Sequence, residues 1–214
     1  MTAPEASPIS FIHCTPEAET LIVLMARVSN PDNADNLETA PRLLRYLITH
    51  RHWSPFEMAS LCVKIDTERD IAAQILRHRS FSFQEFSTRY ARTTEPTVPA
   101  FRRQDTTNRQ ASHDDLSPDL TAQCTTAAYW SIRTAYQAYD AMLAQGVAKE
   151  CARRILPLCT PTTLYMHGTL RSWIHYIQLR TKASTQLEHR RIADACRAIF
   201  TAQFPIISEA AFPS

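Results

Sequence analysis

Apolar and polar positions recur along this chain at spacings that divide most of it into short strands and helices. Residues 9–14 read as a strand. Thr15-Pro16-Glu17 then opens a helix to about Val28, with proline at its first position and acids in its first turn, and Asn30-Pro31-Asp32 breaks it. A second helix covers 37–49, with Leu43, Leu44, Leu47 and Ile48 along one face. The segment 50–55 is a polar turn that carries Trp53. Residues 58–65 read as a strand, and Thr67 as the cap of a helix reaching about Arg77. Phe81, Phe83, Phe86 and Tyr90 follow in a stretch that alternates only in part. Residues 93–118 are poor in apolar side chains and rich in Thr, Pro, Asp, Asn and Gln, which predicts a long loop, either functional or mobile. Ser117-Pro118 starts a long helix with Leu120, Cys124, Ala127, Ile132, Tyr136, Tyr139 and Leu143 at helical spacing, and Gly146 stops it. A helix over 147–156 ends at Pro157, a strand covers 162–168, and a helix covers 170–181. Ser184 caps a last helix to about Phe204. No repeat and no regular strand-helix-strand rhythm is present. The expectation is one α+β domain spanning 1–214, with a small, mostly antiparallel sheet packed against several helices.

Composition narrows the chemistry. The 214 residues include only two glycines, Gly146 and Gly168. Neither a G-x-G-x-x-G dinucleotide turn nor a phosphate-cradling P-loop can be built from them, so any phosphate must be met by side chains or helix ends. Of 23 basic residues all but Lys64, Lys149 and Lys182 are arginine. The planar arginine fork suits phosphate and carboxylate. The formal net charge of +2 argues against a general nucleic-acid binder. Six cysteines form no C-x-x-C pair and no zinc spacing with histidine, and they point to a reducing, cytoplasmic compartment. The first ten residues have neither the basic nor the apolar region of a secretory signal, and no apolar run is long enough to span a membrane.

Three segments carry candidate chemistry. Arg77-His78-Arg79 is followed by Ser87-Thr88-Arg89-Tyr90; arginines at a helix end answer the helix dipole, but Ser87 and Arg89 lie beyond any such end. His50-Arg51-His52-Trp53-Ser54-Pro55-Phe56-Glu57 offers two histidines without a further ligand at metal spacing, so it reads as a surface turn. Arg171, His175 and Gln178 share one helix face, opposite Leu170, Trp173, Ile174 and Ile177; the polar side is either solvated or the wall of a ligand site. A second function class is also open: arginines interleaved with aromatics over 77–92 could bind RNA or a single strand.

The spacing R-H-R-x7-S, from Arg77 to Ser87, resembles the signature of the flavin-dependent thymidylate synthases. His52-Trp53-Ser54-Pro55-Phe56-Glu57, Gln74-x-x-Arg77, Ala152-Arg153-x-x-Leu156-Pro157, Leu170-Arg171-Ser172, Leu179-Arg180 and Gln186-x-Glu188 are similar to further elements of that family, in its order. The resemblance implies that family's fold and the conversion of dUMP to dTMP, with methylenetetrahydrofolate as carbon donor, NADPH as reductant and FAD as cofactor, in a homotetramer with shared active sites. It implies dUMP contacts from Gln74, Arg77, Glu85, Phe86, Ser87 and Arg89, with Arg153 supplied by another chain. It implies that Arg180 faces the uracil and favours its ionised N3. It implies FAD contacts from His52, Ser54, Arg77, His78, Arg79, Glu85, Thr169, Arg171 and His175. No Pro-Cys-His triplet is present, so no covalent bond from cysteine to dUMP is expected. Gln84, Met58, Thr169 and Ser184 depart from residues common in the family, which touches individual flavin contacts. A flavin-binding relative without synthase activity is a third reading, which Ser87, Arg89 and Arg180 disfavour.

Overall fold

The computed structural model describes residues 8–33 and 36–213. Residues 1–7, read above as part of a segment that is no secretory signal, lie outside the described residues. Four strands form an antiparallel sheet in the order β1 (Ile9–Cys14), β2 (Ser60–Glu68), β6 (Pro161–Thr169) and β3 (Phe81–Glu85). One face is apolar because alternate residues point the same way: Leu61, Val63 and Ile65 on β2, and Leu164 and Met166 on β6, are fully buried. Onto the sheet pack α3 (Arg69–Ile75), α6 (Leu170–Arg180) and α7 (Leu187–Gln203). The predicted apolar side of α6 is buried, and Trp173 Nε1 donates to the Leu61 carbonyl at 2.9 Å. Behind these lie α1 (Ala18–Ala26), α2 (Ala40–Thr49) and α8 (Pro205–Ala211). The expected α+β architecture with a small antiparallel sheet is the one observed.

Gly168 is needed for close approach. It pairs with Phe81 across β6 and β3, and the Phe81 ring lies where a side chain on residue 168 would be: an added Cβ would meet Cε1 at 2.7 Å. Gly146 instead has φ of +81°, the left-handed turn that ends α4 (Pro118–Ala144). At the other end of α4, the Ser117 hydroxyl accepts from the Leu120 N–H, as the sequence predicts. A second, smaller apolar cluster joins Ile132, Tyr136 and Tyr139 of α4 to Ala152.

Several boundaries differ. Thr67 is no cap but sits in β2 opposite Thr162; the ladder with β6 carries the strand to Glu68. The α3 amides of Arg69 and Asp70 are met instead by the Thr160 and Leu158 carbonyls. Ser184 does not cap α7, whose N-cap position is Gln186 without a side-chain bond. Pro205 starts a separate helix, α8, which the sequence reading missed. The segment 147–156 forms only α5 (Lys149–Ala152) and a 3-10 turn, Arg153–Ile155. The stretch 93–118 is not structureless: β4 (Arg103–Gln104) and β5 (Ser112–His113) pair as a ribbon. Asp105 organises its turn, accepting from the amides of Thr107 and Asn108 at 2.7 and 2.6 Å and facing His113 Nε2 at 2.6 Å.

Candidate active site

The chain leaves α3 through the turn Arg77-His78-Arg79-Ser80, which lies along α6. At the C-terminal end of α6, Arg180 Nε donates to His78 Nε2 at 2.9 Å. That nitrogen must accept, so the imidazole is neutral and carries its proton on Nδ1. Burial, then the Arg180 charge, pushes the His78 pKa down to about 4. Tyr176 packs edge-on to the His78 ring at 4.9 Å. Arg77 and Arg79 are exposed on either side of His78. Gln74, one turn earlier, donates to Gln186 Oε1 at 2.7 Å and faces Nδ1 of His189 at 3.4 Å.

Near the N-terminal end of α6 the same turn closes a cavity of about 360 Å³ lined by Glu57, Ser80, Thr169, Arg171, Ser172 and His175. The Ser172 hydroxyl donates to the Ser80 carbonyl at 3.2 Å, and Thr169 caps α6 through the Ser172 amide. Arg171 pairs with Glu57. His175 meets Trp53 edge-on at 4.8 Å, and burial, then Arg171, lowers its pKa. His52 and Ser54 flank Trp53. Arg51, at φ of +58°, turns the chain so that the His52 amide donates to the Leu47 carbonyl at 2.8 Å. Gln178 does not share this wall: it donates to the Ala211 carbonyl of α8.

Ser87, Arg89 and Arg153 form a separate group. Arg89 pairs with Glu150 at 2.9 Å beside a cavity of about 500 Å³ lined by Ser87, Arg89, Tyr90, Ala148, Lys149 and Glu150. Arg153 of the same chain donates to the Thr88 hydroxyl at 3.2 Å. Glu85 accepts from the Thr162 hydroxyl at 3.0 Å, and Phe86 opens onto a neighbouring cavity with Tyr90 and Tyr165. Among the described residues, no hydrogen bond or ion pair joins the side chains of Gln74, Arg77 or Arg180 to those of Ser87, Arg89 or Arg153.

A family model described as thymidylate synthase complementing protein matches residues 10–206. A probable flavin-dependent thymidylate synthase of Paramecium bursaria Chlorella virus 1 is 52% identical over 194 residues, which cover 90% of each chain. A flavin-dependent thymidylate synthase of Synechocystis is 50% identical over 90% of this chain and 88% of its own. The chain belongs to the flavin-dependent thymidylate synthase family. In structure it is similar to PolB of Streptomyces cacaoi, a UMP/dUMP methylase solved with 5-Br dUMP, at a TM-score of 0.83 and 26% identity over 94% of this chain and 93% of that one.

The nucleic-acid alternative gains no support from these relatives. Arg89 and Arg92 are also taken up by Glu150 and Asp140, which breaks any continuous basic face over 77–92. Sequence reasoning did not single out Tyr176, His189 or Arg102 of this family member. His189 is wholly buried, and burial, then Arg180, lowers its pKa to about 4. A signal for it exists: with Ile192, Ala193, Cys196 and Phe200 it occupies the apolar stripe of α7, where a histidine needs hydrogen-bond partners. Arg102 pairs with both carboxylate oxygens of Glu188, at 2.6 and 2.9 Å, and no local pattern announces it.

Proposed function

We propose that the chain methylates dUMP to dTMP reductively, with methylenetetrahydrofolate as carbon donor and FAD and NADPH supplying the reducing equivalents. The relatives' names support the flavin, and the similar methylase structure supports the nucleotide. The observation that carries the reading is Arg180. Its guanidinium is partly buried and its partner is a neutral imidazole, not a carboxylate. A positive charge left uncompensated in such a place favours an anion, and uracil ionised at N3 provides one. A fixed charge there stabilises the pyrimidine as it becomes a carbon nucleophile. Cysteine chemistry is not needed. The Cys159 thiol is held above its usual pKa by burial and next by Glu68, which disfavours the thiolate.

The residues present suit FAD. A chain without a glycine turn must meet a diphosphate with side chains, and Arg77 and Arg79 lie exposed in the turn whose Ser80 lines the cavity with Thr169, Arg171 and His175. We assign the flavin contacts to His52, Ser54, Arg77, His78, Arg79, Glu85, Thr169, Arg171 and His175. When bound, FAD supplies the redox chemistry between nicotinamide and the transferred carbon; the protein contributes position and charge.

For dUMP we assign Gln74, Arg77, Glu85, Phe86, Ser87 and Arg89, with arginine and Ser87 on the phosphate, Arg153 from another chain, and Arg180 facing the uracil. A homotetramer with shared active sites belongs to the same reading. Among the described residues no helix is long and apolar enough to cross a membrane; six unpaired cysteines support a cytoplasmic location. The test is visible absorbance of the protein loaded with FAD and desalted, titrated with dUMP. Retained flavin bands that shift with dUMP are the expected result. A colourless protein indifferent to dUMP refutes the reading.

A further inference from the structure

A line of hydrogen bonds runs from the 93–118 segment into the core behind Arg180. Arg102 holds Glu188, Gln186 Nε2 donates to Glu188 Oε2 at 3.1 Å, and Gln186 Oε1 accepts from Gln74 Nε2 at 2.7 Å. Gln74 Oε1 then faces His189 Nδ1 at 3.4 Å, and the Tyr176 hydroxyl faces His189 Nε2 at 3.2 Å. The inventory of donors fixes the direction of this line. An ionised Glu188 only accepts, so Gln186 must turn its amide nitrogen toward it and its oxygen toward Gln74. Gln74 must then present nitrogen to Gln186 and oxygen to His189. His189 answers with Nδ1–H, and its Nε2 accepts from Tyr176. Tyr176 also packs edge-on to His78, the partner of Arg180.

We propose that His189 is a positioning residue of the nucleotide site: its Nδ1–H ties back the Gln74 oxygen, so that Gln74 keeps one N–H free for a carbonyl of the pyrimidine. The inference rests on the assignment of Gln74 to dUMP made above. Without His189 the Gln74 side chain is held at one end only and leaves its orientation part of the time. Among the described residues, two neighbouring groups are not available for the role. His78 faces Arg180, and Cys196 on the same stripe is wholly buried, its thiol pushed up to about 12 by desolvation.

The experiment measures dUMP affinity of FAD-loaded protein by the flavin absorbance change, in a double-mutant cycle. Gln74→Ala and His189→Leu are each expected to weaken dUMP about tenfold, the scale of one hydrogen bond made or lost. In the Gln74→Ala background, His189→Leu should change nothing further. His189→Asn, whose amide nitrogen stands in for Nδ1–H, should restore affinity to within about threefold. Tyr176→Phe, which keeps the ring and removes only the hydroxyl, gives the same direction of change if His189→Leu fails to fold. Equal losses from His189→Leu with and without Gln74 mean a structural role and overturn the proposal, as does wild-type affinity in folded His189→Leu or Tyr176→Phe. Wild-type affinity in Gln74→Ala overturns the assignment of Gln74 itself, a failure separable from that of His189.

Discussion

Gly168 sits in the central strand β6 with the Phe81 ring against it, and replacing it by alanine measures how tightly the sheet holds the turn before β3. The new Cβ would press first on Phe81 Cδ1 and would also fall 2.7 Å from Cε1. Carbon atoms rest at about 3.5–4.0 Å, so the ring must retreat by roughly 1 Å. It has little room. Phe81 is 8% exposed and meets Trp173 at 5.0 Å and Tyr176 at 5.9 Å, both wholly or almost wholly buried. Overpacking of this kind costs about 2 kcal/mol. Alanine returns roughly 0.5–1 kcal/mol, because glycine loses more backbone freedom in a strand. The net loss is about 1–1.5 kcal/mol, or a fall in Tm of roughly 2–6 °C for a chain of this length. The assay is thermal unfolding by circular dichroism, without added FAD and at one protein concentration. Because Tyr176 also packs against His78, the dUMP-induced flavin shift should weaken in the same variant. A Tm within 1 °C of wild type would show that Phe81 moves freely and that the packing reasoning is wrong.

Arg180→Lys should lower kcat by about 10²-fold while keeping fold and flavin, since lysine lacks the fork that can hold both His78 and an anionic base; near-normal turnover removes Arg180 from its role. Cys159→Ala should keep its activity, measured as dTMP formed; loss of activity with normal folding and flavin content would contradict the absence of a cysteine nucleophile. Arg153→Ala and Arg77→Ala, each inactive alone, should regain activity when co-assembled, and failure in verified mixed tetramers counts against shared sites. Stability should also depend on pH through His78 and His189, whose pKa values drop from 6.5 to about 4 on folding. The unfolded chain binds their protons first, so stability falls as pH drops from about 6.5 to about 4. Glu19, Glu68 and Asp70, with raised pKa values, act in the opposite sense and are unchanged between variants. His189→Asn should therefore lose less of its urea midpoint between pH 7 and 4.5 than wild type does; an equal loss sinks this assignment.

Local signals were enough where the stabilising partner is local. The Ser117 cap, the Gly146 stop and the alternation of β6 are decided within a few residues. The elements that escaped depend on distant ones. α8 exists as a separate helix with its Ile207 amide held by Glu19, 188 positions away in the chain. The extension of β2 through Thr67 needs β6 as its ladder partner. At the candidate site, the R-H-R turn and its companions were legible as residue types in order. Their division into one group around α6 and another around Ser87 and Arg153 was not, because spacing along a chain says nothing about which sheet edge a residue reaches. His189 shows the same limit: its spacing marks it as buried, while its purpose depends on Gln74, which only the packing of α7 on α3 brings near.

The one-way hydrogen-bond line from Glu188 to Tyr176 also limits how this enzyme can evolve. Each link takes its donor or acceptor sense from the link before it, so a change at one position demands the opposite polarity all the way down. An amide in place of Glu188 would release that sense at its source, and a residue unable to donate in place of His189 would release it near its end. Substitutions along the line should therefore be tolerated in matched sets and penalised singly, so that residues far apart in the chain are inherited together.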